Sequence, residues 1–331
     1  MTAGPVHHRD LVVLGASAGG VEALHDVIAG LAPDLPAAVL VVLHMPAHPD
    51  SALPAILDRC GPLPALPAQH GGPLLRGRVH VAVPDRHLLV REERMLLSRA
   101  AKQNGVRPAI DALFRSAARW RGPRTIGAVL SGTLDDGAAG LAAIDAAGGT
   151  CIVQDPGDAL FPGMPQAALT VVPHAELCQA RTMGERIRTL ITEHAQPTTY
   201  HADPDLIVET DMAENQPRRE RPGRPAAVSC PDCTGGMNLV ETGAAVHYTC
   251  HVGHVWSPQT LIAAQREKVE QALWTAVSML EEQAGIHEEL AHRAASGLSG
   301  LTEIHQRAAA LEIRTAAGVI RKHFPEFMPQ Q

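Results

Sequence analysis

Short unbroken apolar runs recur from Leu11 to about His194, each bounded by Gly, Pro or charge: LVVL at 11–14, AVLVVL at 38–43, VHVAV at 79–83, IGAVL at 126–130 and CIV at 151–153. Runs without polar alternation predict strands buried on both faces. Between them, 21–31, 110–120 and 138–147 carry apolar residues at helical spacing. Strands alternating with helices predict an α/β domain over 8–195, doubly wound around a mostly parallel sheet. One stretch departs from this. VHVAV at 79–83 is followed by apolar runs at 88–90 and 95–97, which together predict a local antiparallel insertion.

The pattern changes at Gln196. Residues 196–228 hold five prolines, a charged run PRRERPGR at 217–224 and few aliphatics. Such a composition predicts a flexible linker. A compact Cys/His segment follows over 229–256. Ser257 and Pro258 then have the residue types of a helix N-cap and first helical position. Leu261, Ala264, Leu273, Val277, Leu280 and Ala284 continue at helical spacing, and Leu301, Ile304, Ala308, Leu311 and Val319 make a second stripe. Residues 257–326 therefore predict a helical hairpin or coiled-coil tail, a surface suited to self-association.

Composition narrows the function classes. Of 331 residues, 45% are hydrophobic and 19% charged, enough for a sizeable core. With 3% aromatics and a net charge of −7, neither stacking platforms nor a basic surface for nucleic acid is expected. No apolar stretch reaches the roughly 20 residues that span a bilayer. The first residues, MTAGPVHHRD, lack the basic start and apolar core of an export signal, so a soluble cytoplasmic protein is expected.

Chemistry gathers at the predicted strand ends. The first strand runs into Gly15-Ala16-Ser17-Ala18-Gly19-Gly20, a G-x-S-x-G arrangement just before a helix. A phosphate-binding turn is the competing reading, but the spacing is not G-x-G-x-x-G and the loop has no basic residue. A serine hydroxyl needs a base, and the second strand ends at His44-Met45-Pro46. In a parallel sheet neighbouring carboxyl ends lie side by side, which brings Ser17 and His44 to one edge. A third strand leads to Ser131-Gly132-Thr133-Leu134-Asp135-Asp136-Gly137, and either aspartate could orient the imidazole or cap the next helix.

These three segments resemble the chemotaxis protein-glutamate methylesterases, the CheB-type catalytic domain, in their GAS-x-GG loop, His-Met-Pro turn and GxxxDGAxGL segment. The resemblance extends through GRVHVAVPDRHLLV at 77–90, residues 107–111 and 113–117, and FPGMP at 161–165, in order from Leu11 to Ile191. Aligned on Asp-Gly-Ala, it selects Asp136. It implies hydrolysis of glutamate γ-methyl esters on methylated chemoreceptors or related signalling proteins, with release of methanol and a side activity of glutamine deamidation. No catalytic cofactor is implied. Ser17, His44 and Asp136 would form the triad, with Ala18, Gly19, Thr133 and Met164 at the oxyanion and substrate site. Two positions depart from the best-known members, which carry Thr where Ala18 stands and Met where Thr133 stands. A receiver domain is also expected to be absent, because the chain begins directly at the catalytic segment.

Cys230-Pro-Asp-Cys233, Cys250 and His254 have the types and spacing of a closed tetrahedral zinc site across a short hairpin at 237–240 and 245–248. A zinc-ribbon-like segment with a structural Zn2+ is expected, His247 and His251 being rival fourth ligands. A docking module that works through this segment and the helical tail is the alternative to an enzyme.

Overall fold

The computed structural model describes residues 7–45, 51–195, 202–215, 222–295 and 300–324. Pro46 of the His-Met-Pro turn, and 196–201 and 216–221 of the expected linker, lie outside the described residues. The first part of the chain runs β1 (His7–His8), β2 (Leu11–Ala16), α1 (Gly20–Ala29), β3 (Ala38–Leu43), α2 (Leu53–Cys60), β4 (Ala65–Pro67), β5 (Arg78–Val81), β6 (His87–Arg91) and β7 (Arg94–Ser98). It continues through α3 (Ile110–Arg121), β8 (Thr125–Val129), α4 (Ala138–Ala146), β9 (Thr150–Gln154), α5 (Gly163–Val171), β10 (Glu176–Cys178), α6 (Ala180–Thr192) and β11 (His194–Ala195).

Seven strands form one sheet in the order β10-β9-β8-β2-β3-β5-β4, every pairing parallel. Alternate side chains of β2 serve opposite faces. Leu11 and Val13 join Ile110, Phe114 and Leu141 of α3 and α4, while Val12 and Leu14 join Leu24, Val27 and Ile187 of α1 and α6. Double burial is why the strands read as unbroken apolar runs, each large side chain contributing about 1.5–3 kcal/mol. The chain leaves β2 toward β3 on one side and returns through α3 to β8 on the other. The carboxyl ends of β2, β3 and β8 therefore meet at the point where strand order reverses, the place such sheets bind ligands.

Two expectations need correction. β5 does not belong to an antiparallel insertion: it lies parallel between β3 and β4, with Val79 and Val81 fully buried, and the insertion is only the β6–β7 hairpin. Nor is 196–228 a flexible linker throughout, because Pro204–Ala213 forms a helix, α7. Asp203 caps it, its carboxylate accepting from the N–H groups of Asp205 (2.8 Å) and Leu206 (3.4 Å), and Pro204 opens the first turn. The proline and the acid that lowered the apolar content are thus helix-start signals. Arg119 of α3 holds α7 by hydrogen bonds to Thr210 (2.6 Å) and Asp211.

After α7 come β12 (Arg224–Ser229), β13 (Gly236–Thr242), β14 (Ala245–Cys250) and β15 (Val255–Trp256), a four-stranded antiparallel sheet, then α8 (Pro258–Ala295) and α9 (Gly300–His323). The chain divides into two compact units after Leu261, so the Cys/His sheet belongs with the α/β unit rather than forming a domain of its own. The second unit is a pair of helices. Val277, Ala284 and Ala291 are buried at heptad spacing on one helix, Ala310 and Ala317 on the other. Arg314–Glu288 (2.8 Å) and Arg321–Glu281 (2.6 Å) bridge them.

Removing the α7 cap tests the corrected assignment. Asp203→Ala is expected to lower stability to urea by about 1 kcal/mol and to speed hydrogen exchange across 204–213; a linker would show neither change.

Candidate active site

Ser17 follows β2 directly. Its N–H donates to the carbonyl of Ser131 (2.9 Å), and its own carbonyl accepts from Gly20 N–H (2.8 Å), closing a tight turn into α1. Gly19 makes that turn possible. It lies in the left-handed region (φ 66), and a Cβ there would come within 2.8 Å of both Leu160 Cβ and Ser131 Oγ. Among the described residues nothing accepts from the N–H groups of Ala18 and Gly19.

His44 follows β3, its N–H donating to Ala16 O (3.1 Å). Its ring lies between the other two residues, with Nδ1 3.1 Å from Ser17 Oγ and Nε2 2.7 Å from Asp136 Oδ2. The side chain of His44 is 17% exposed and that of Asp136 4%. An anionic aspartate accepts only, so Nε2 carries the proton and Nδ1 faces the serine as the acceptor. The serine is thus served through Nδ1, the opposite nitrogen from that in the chymotrypsin-type triad.

All four acceptor positions of Asp136 are filled. Oδ2 accepts from His44 and from Ile110 N–H (2.7 Å); Oδ1 accepts from the Asn104 amide (2.9 Å) and Asp111 N–H (3.2 Å). Burial alone would push this carboxyl up. The hydrogen bond and charge of His44, with the donors Ile110 and Asn104, outweigh it and hold the carboxyl well below the usual range. Asp135, the other candidate, points away from the imidazole and accepts from Ser257 Oγ (2.7 Å). Burial pushes it up to about 6, a shift opposed by the Ser257 hydrogen bond and reinforced by the charge of Asp136.

The start of α5, Gly163 and Met164, closes the floor. Met164 is fully buried, and a Cβ at Gly132 would meet its sulfur at 2.1 Å and Ser17 Cβ at 2.9 Å. It supports the Gly132 backbone under the serine. Thr133 is exposed at the rim, as are Leu134 (54%), Leu160 (69%) and Phe161 (40%). Leu134 also lies in the left-handed region (φ 61), a conformation that costs a leucine about 1 kcal/mol or more.

Several supporting residues escaped the sequence reading. Ser131 Oγ donates to Ala18 O (2.8 Å) and accepts from Phe161 N–H (3.0 Å), tying the serine loop to the FPGMP loop. Gln154, at the end of β9, accepts from Ser131 N–H (2.8 Å). Asn104 and Asp111 brace Asp136 directly. Asp111 sat within a segment of family resemblance, whereas Asn104-Gly105 carried no signal beyond that of a turn.

At the Cys/His sheet, Cys230, Cys233, Cys250 and His254 converge with their ligand atoms all within 4.8 Å of one another. Cys230 Sγ and Cys250 Sγ stand 3.6 and 3.5 Å from His254 Nδ1, and Cys233 Sγ is 3.6 Å from Cys250 Sγ. A tetrahedral ion bound at about 2.3 Å to sulfur and about 2.0 Å to nitrogen would space its donors by about 3.5–3.8 Å, so this set fits zinc. Of the rival ligands, His247 is buried and paired with Glu209, and His251 is exposed with its ring against Gly235.

Residues 12–187 match the CheB methylesterase family. A protein-glutamate methylesterase/protein-glutamine glutaminase of Symbiobacterium thermophilum is 36% identical over 186 residues, which make up 56% of this chain and 51% of that protein. One from Myxococcus xanthus is 41% identical over 156 residues, 47% of this chain and 44% of that protein. The crystal structure of the Thermotoga maritima CheB methylesterase catalytic domain is similar with a TM-score of 0.53 at 30% identity, covering 55% of this chain and 98% of that one. The chain spans about half the length of the curated relatives it matches.

Asp135 supplies a pH test. Its folded form holds a proton more tightly than the unfolded chain does, so the stability it contributes is full below about pH 4 and is lost as pH rises through about 6. Asp135→Asn keeps an oxygen for Ser257 without the charge. Urea unfolding is expected to show its advantage over wild type growing between those limits, to about 3 kcal/mol at neutral pH.

Proposed function

The chain belongs to the CheB methylesterase family, and we propose that it is a serine hydrolase that removes methyl esters from glutamate side chains of chemoreceptors or similar signalling proteins. The observation that carries this reading is the line of hydrogen bonds from Ser17 Oγ through His44 to Asp136 at the carboxyl ends of β2, β3 and β8. Ser17 Oγ attacks the ester carbonyl while His44 Nδ1 takes its proton. The N–H groups of Ala18 and Gly19 face the developing oxyanion, each worth about 3 kcal/mol in the transition state. His44 returns the proton to the methoxide, methanol leaves, and a water activated by the same nitrogen releases the glutamate. Asp136 stays ionised throughout and stabilises the imidazolium. The same acyl-enzyme would form from a glutamine side chain with loss of ammonia, the protein-glutamine glutaminase activity for which the relatives are also named.

Methanol offers nothing to recognise, so specificity falls to the protein surface around the ester. The exposed Leu134, Leu160 and Phe161 suit an apolar face of a receptor helix. A docking module without catalysis has no use for a hydroxyl, an imidazole and a carboxylate in hydrogen-bonded line. No helix among the described residues is long and apolar enough to cross a membrane. Cys230, Cys233, Cys250 and His254 would hold a structural zinc ion, which would supply folding free energy to a small sheet with little core of its own.

Purified protein is expected to release methanol from methylated receptor fragments, and Ser17→Ala to reduce kcat at least a thousandfold while the protein stays folded, about the loss expected for a triad nucleophile. Equal release from both proteins would remove the serine from the chemistry. Elemental analysis should find zinc equimolar with the chain and absent from a Cys230→Ser, Cys250→Ser protein. The same pair of changes should lower the unfolding temperature by several degrees, since a structural metal is also folding free energy.

A further inference from the structure

The carboxylate of Asp136 is braced by a residue whose other end is held from beyond the family-matched segment. Asn104 is buried, and its amide nitrogen donates to Asp136 Oδ1 (2.9 Å) and reaches Asp111 Oδ2 (3.3 Å). Its amide oxygen accepts from Ser257 N–H (2.8 Å) and Thr260 Oγ1 (2.9 Å), at the start of α8. The backbone on either side is tied to the same place. Asn104 N–H donates to Val255 O (2.7 Å), Val255 N–H reaches Lys102 O (3.4 Å), and Gln103 bridges to Val255. Gly105 lies against the Trp256 ring, the nearest atom 3.4 Å from where a Cβ would stand. Val255 directly follows His254, so β15 runs from the Cys/His cluster to the loop that carries Asn104.

Resting on the reading of Ser17, His44 and Asp136 as the catalytic triad, we propose that β15 and the first turn of α8 position the triad aspartate through Asn104, making the C-terminal segment a working part of the active site. Asn104 is a positioning residue: it touches neither substrate nor the reacting atoms. Its amide can serve both neighbours only in one orientation, nitrogen to Asp136 and oxygen to α8. Fixing the oxygen side fixes the nitrogen side. Without the α8 contacts the amide is free to rotate, Asp136 loses one of its four donors, and the imidazole loses a fixed partner. Among the described residues the side chains that donate to Asp136 are His44 and Asn104, its other two donors being the backbone N–H groups of Ile110 and Asp111.

Thr260→Val tests this from a distance: Thr260 touches no triad atom and bonds Asn104 and Ser257 Oγ (2.7 Å), the latter holding Asp135. The full-length protein is treated with a fluorophosphonate ester, which phosphonylates an activated serine without any receptor substrate, and adduct formation at Ser17 is followed by mass spectrometry. The rate constant at saturating probe is expected to fall about tenfold to a hundredfold in Thr260→Val, as for a displaced catalytic group. Probe affinity and the fraction finally labelled should stay unchanged. Thr260→Ser, which keeps the hydroxyl, should restore the rate. Asn104→Asp keeps the oxygen for α8 but replaces the donor to Asp136 with a like charge, and should be at least as slow. Ser257→Ala keeps its N–H to Asn104 while releasing Asp135, and should label at the wild-type rate, which separates the two routes. Wild-type labelling rates in Thr260→Val and Asn104→Asp overturn the proposal while leaving the triad intact. So does a Thr260→Val loss confined to the fraction labelled, which marks a folding role only. A wild-type protein that forms no adduct at Ser17 removes the triad reading itself, and the proposal with it.

Discussion

Two helices exchange caps across the active site, and most of the geometry around the serine depends on that exchange. Neither α3 nor α4 is capped by its own leading residue: Ala109 has no side chain to offer, and Gly137 has none at all. Asp136 instead accepts from Ile110 and Asp111 N–H at the start of α3, while Asp111 accepts from Gly137 (3.0 Å) and Gly140 (2.7 Å) N–H at the start of α4. Each aspartate therefore lies beside one helix N-terminus and caps the other, where the free N–H groups and dipole favour negative charge. Two buried carboxylates this close cannot ionise with equal ease. Burial and the charge of Asp136 push Asp111 up against the pull of Arg115, while His44 and the α3 amides hold Asp136 down. The charge is placed where the imidazole needs it.

The parts of this arrangement that sequence could reveal are those written in local pattern. The strands beneath the site are buried on both faces, so β2, β3 and β8 stood out as apolar runs. Ser17 and His44 stood out because each follows one of them; the segment after β8 offered Asp135 and Asp136 alike, and only the family resemblance selected Asp136. Edge elements were harder to see. β4 and β10 are three-residue strands with exposed positions, and the apolar signal that marks a central strand is missing from them. α7 was hidden by its own start signals, an acid and a proline that also belong to linkers. Asn104 acts across long separations in the chain, reaching Asp136 in one direction and Ser257 in the other, and neither contact has a local signature. Met164 was placed in the site by resemblance, but its burial under Gly132 depends on the FPGMP loop folding back over the serine turn.

Within the first unit, α7 and the Cys/His sheet join the family-matched segment through buried polar contacts. Besides Asn104, a chain of charge runs from Asp111 to Arg115 (3.9 Å), on to Glu209 of α7 (4.0 Å), and to His247 of β14. Every member is almost wholly buried. Such networks add little net stability over apolar packing, but losing one member leaves an uncompensated charge and costs far more. Their consequence is specificity of arrangement: α3, α7 and the Cys/His sheet can meet in one register only. The α/β unit therefore extends to Leu261, well past the segment it shares with its relatives.

The state of the His44 imidazole matters most, because capping, charge and the proposed proton transfer all converge on it. Nitrogen-15 NMR of the histidine-labelled protein at neutral pH, assigned with a His44→Gln variant, reads the tautomer and its hydrogen bond. The expected spectrum places the proton on Nε2, hydrogen-bonded to Asp136, with Nδ1 facing Ser17 as the acceptor. A proton on Nδ1 with a bare Nε2, or a ring exchanging freely between tautomers, would contradict it.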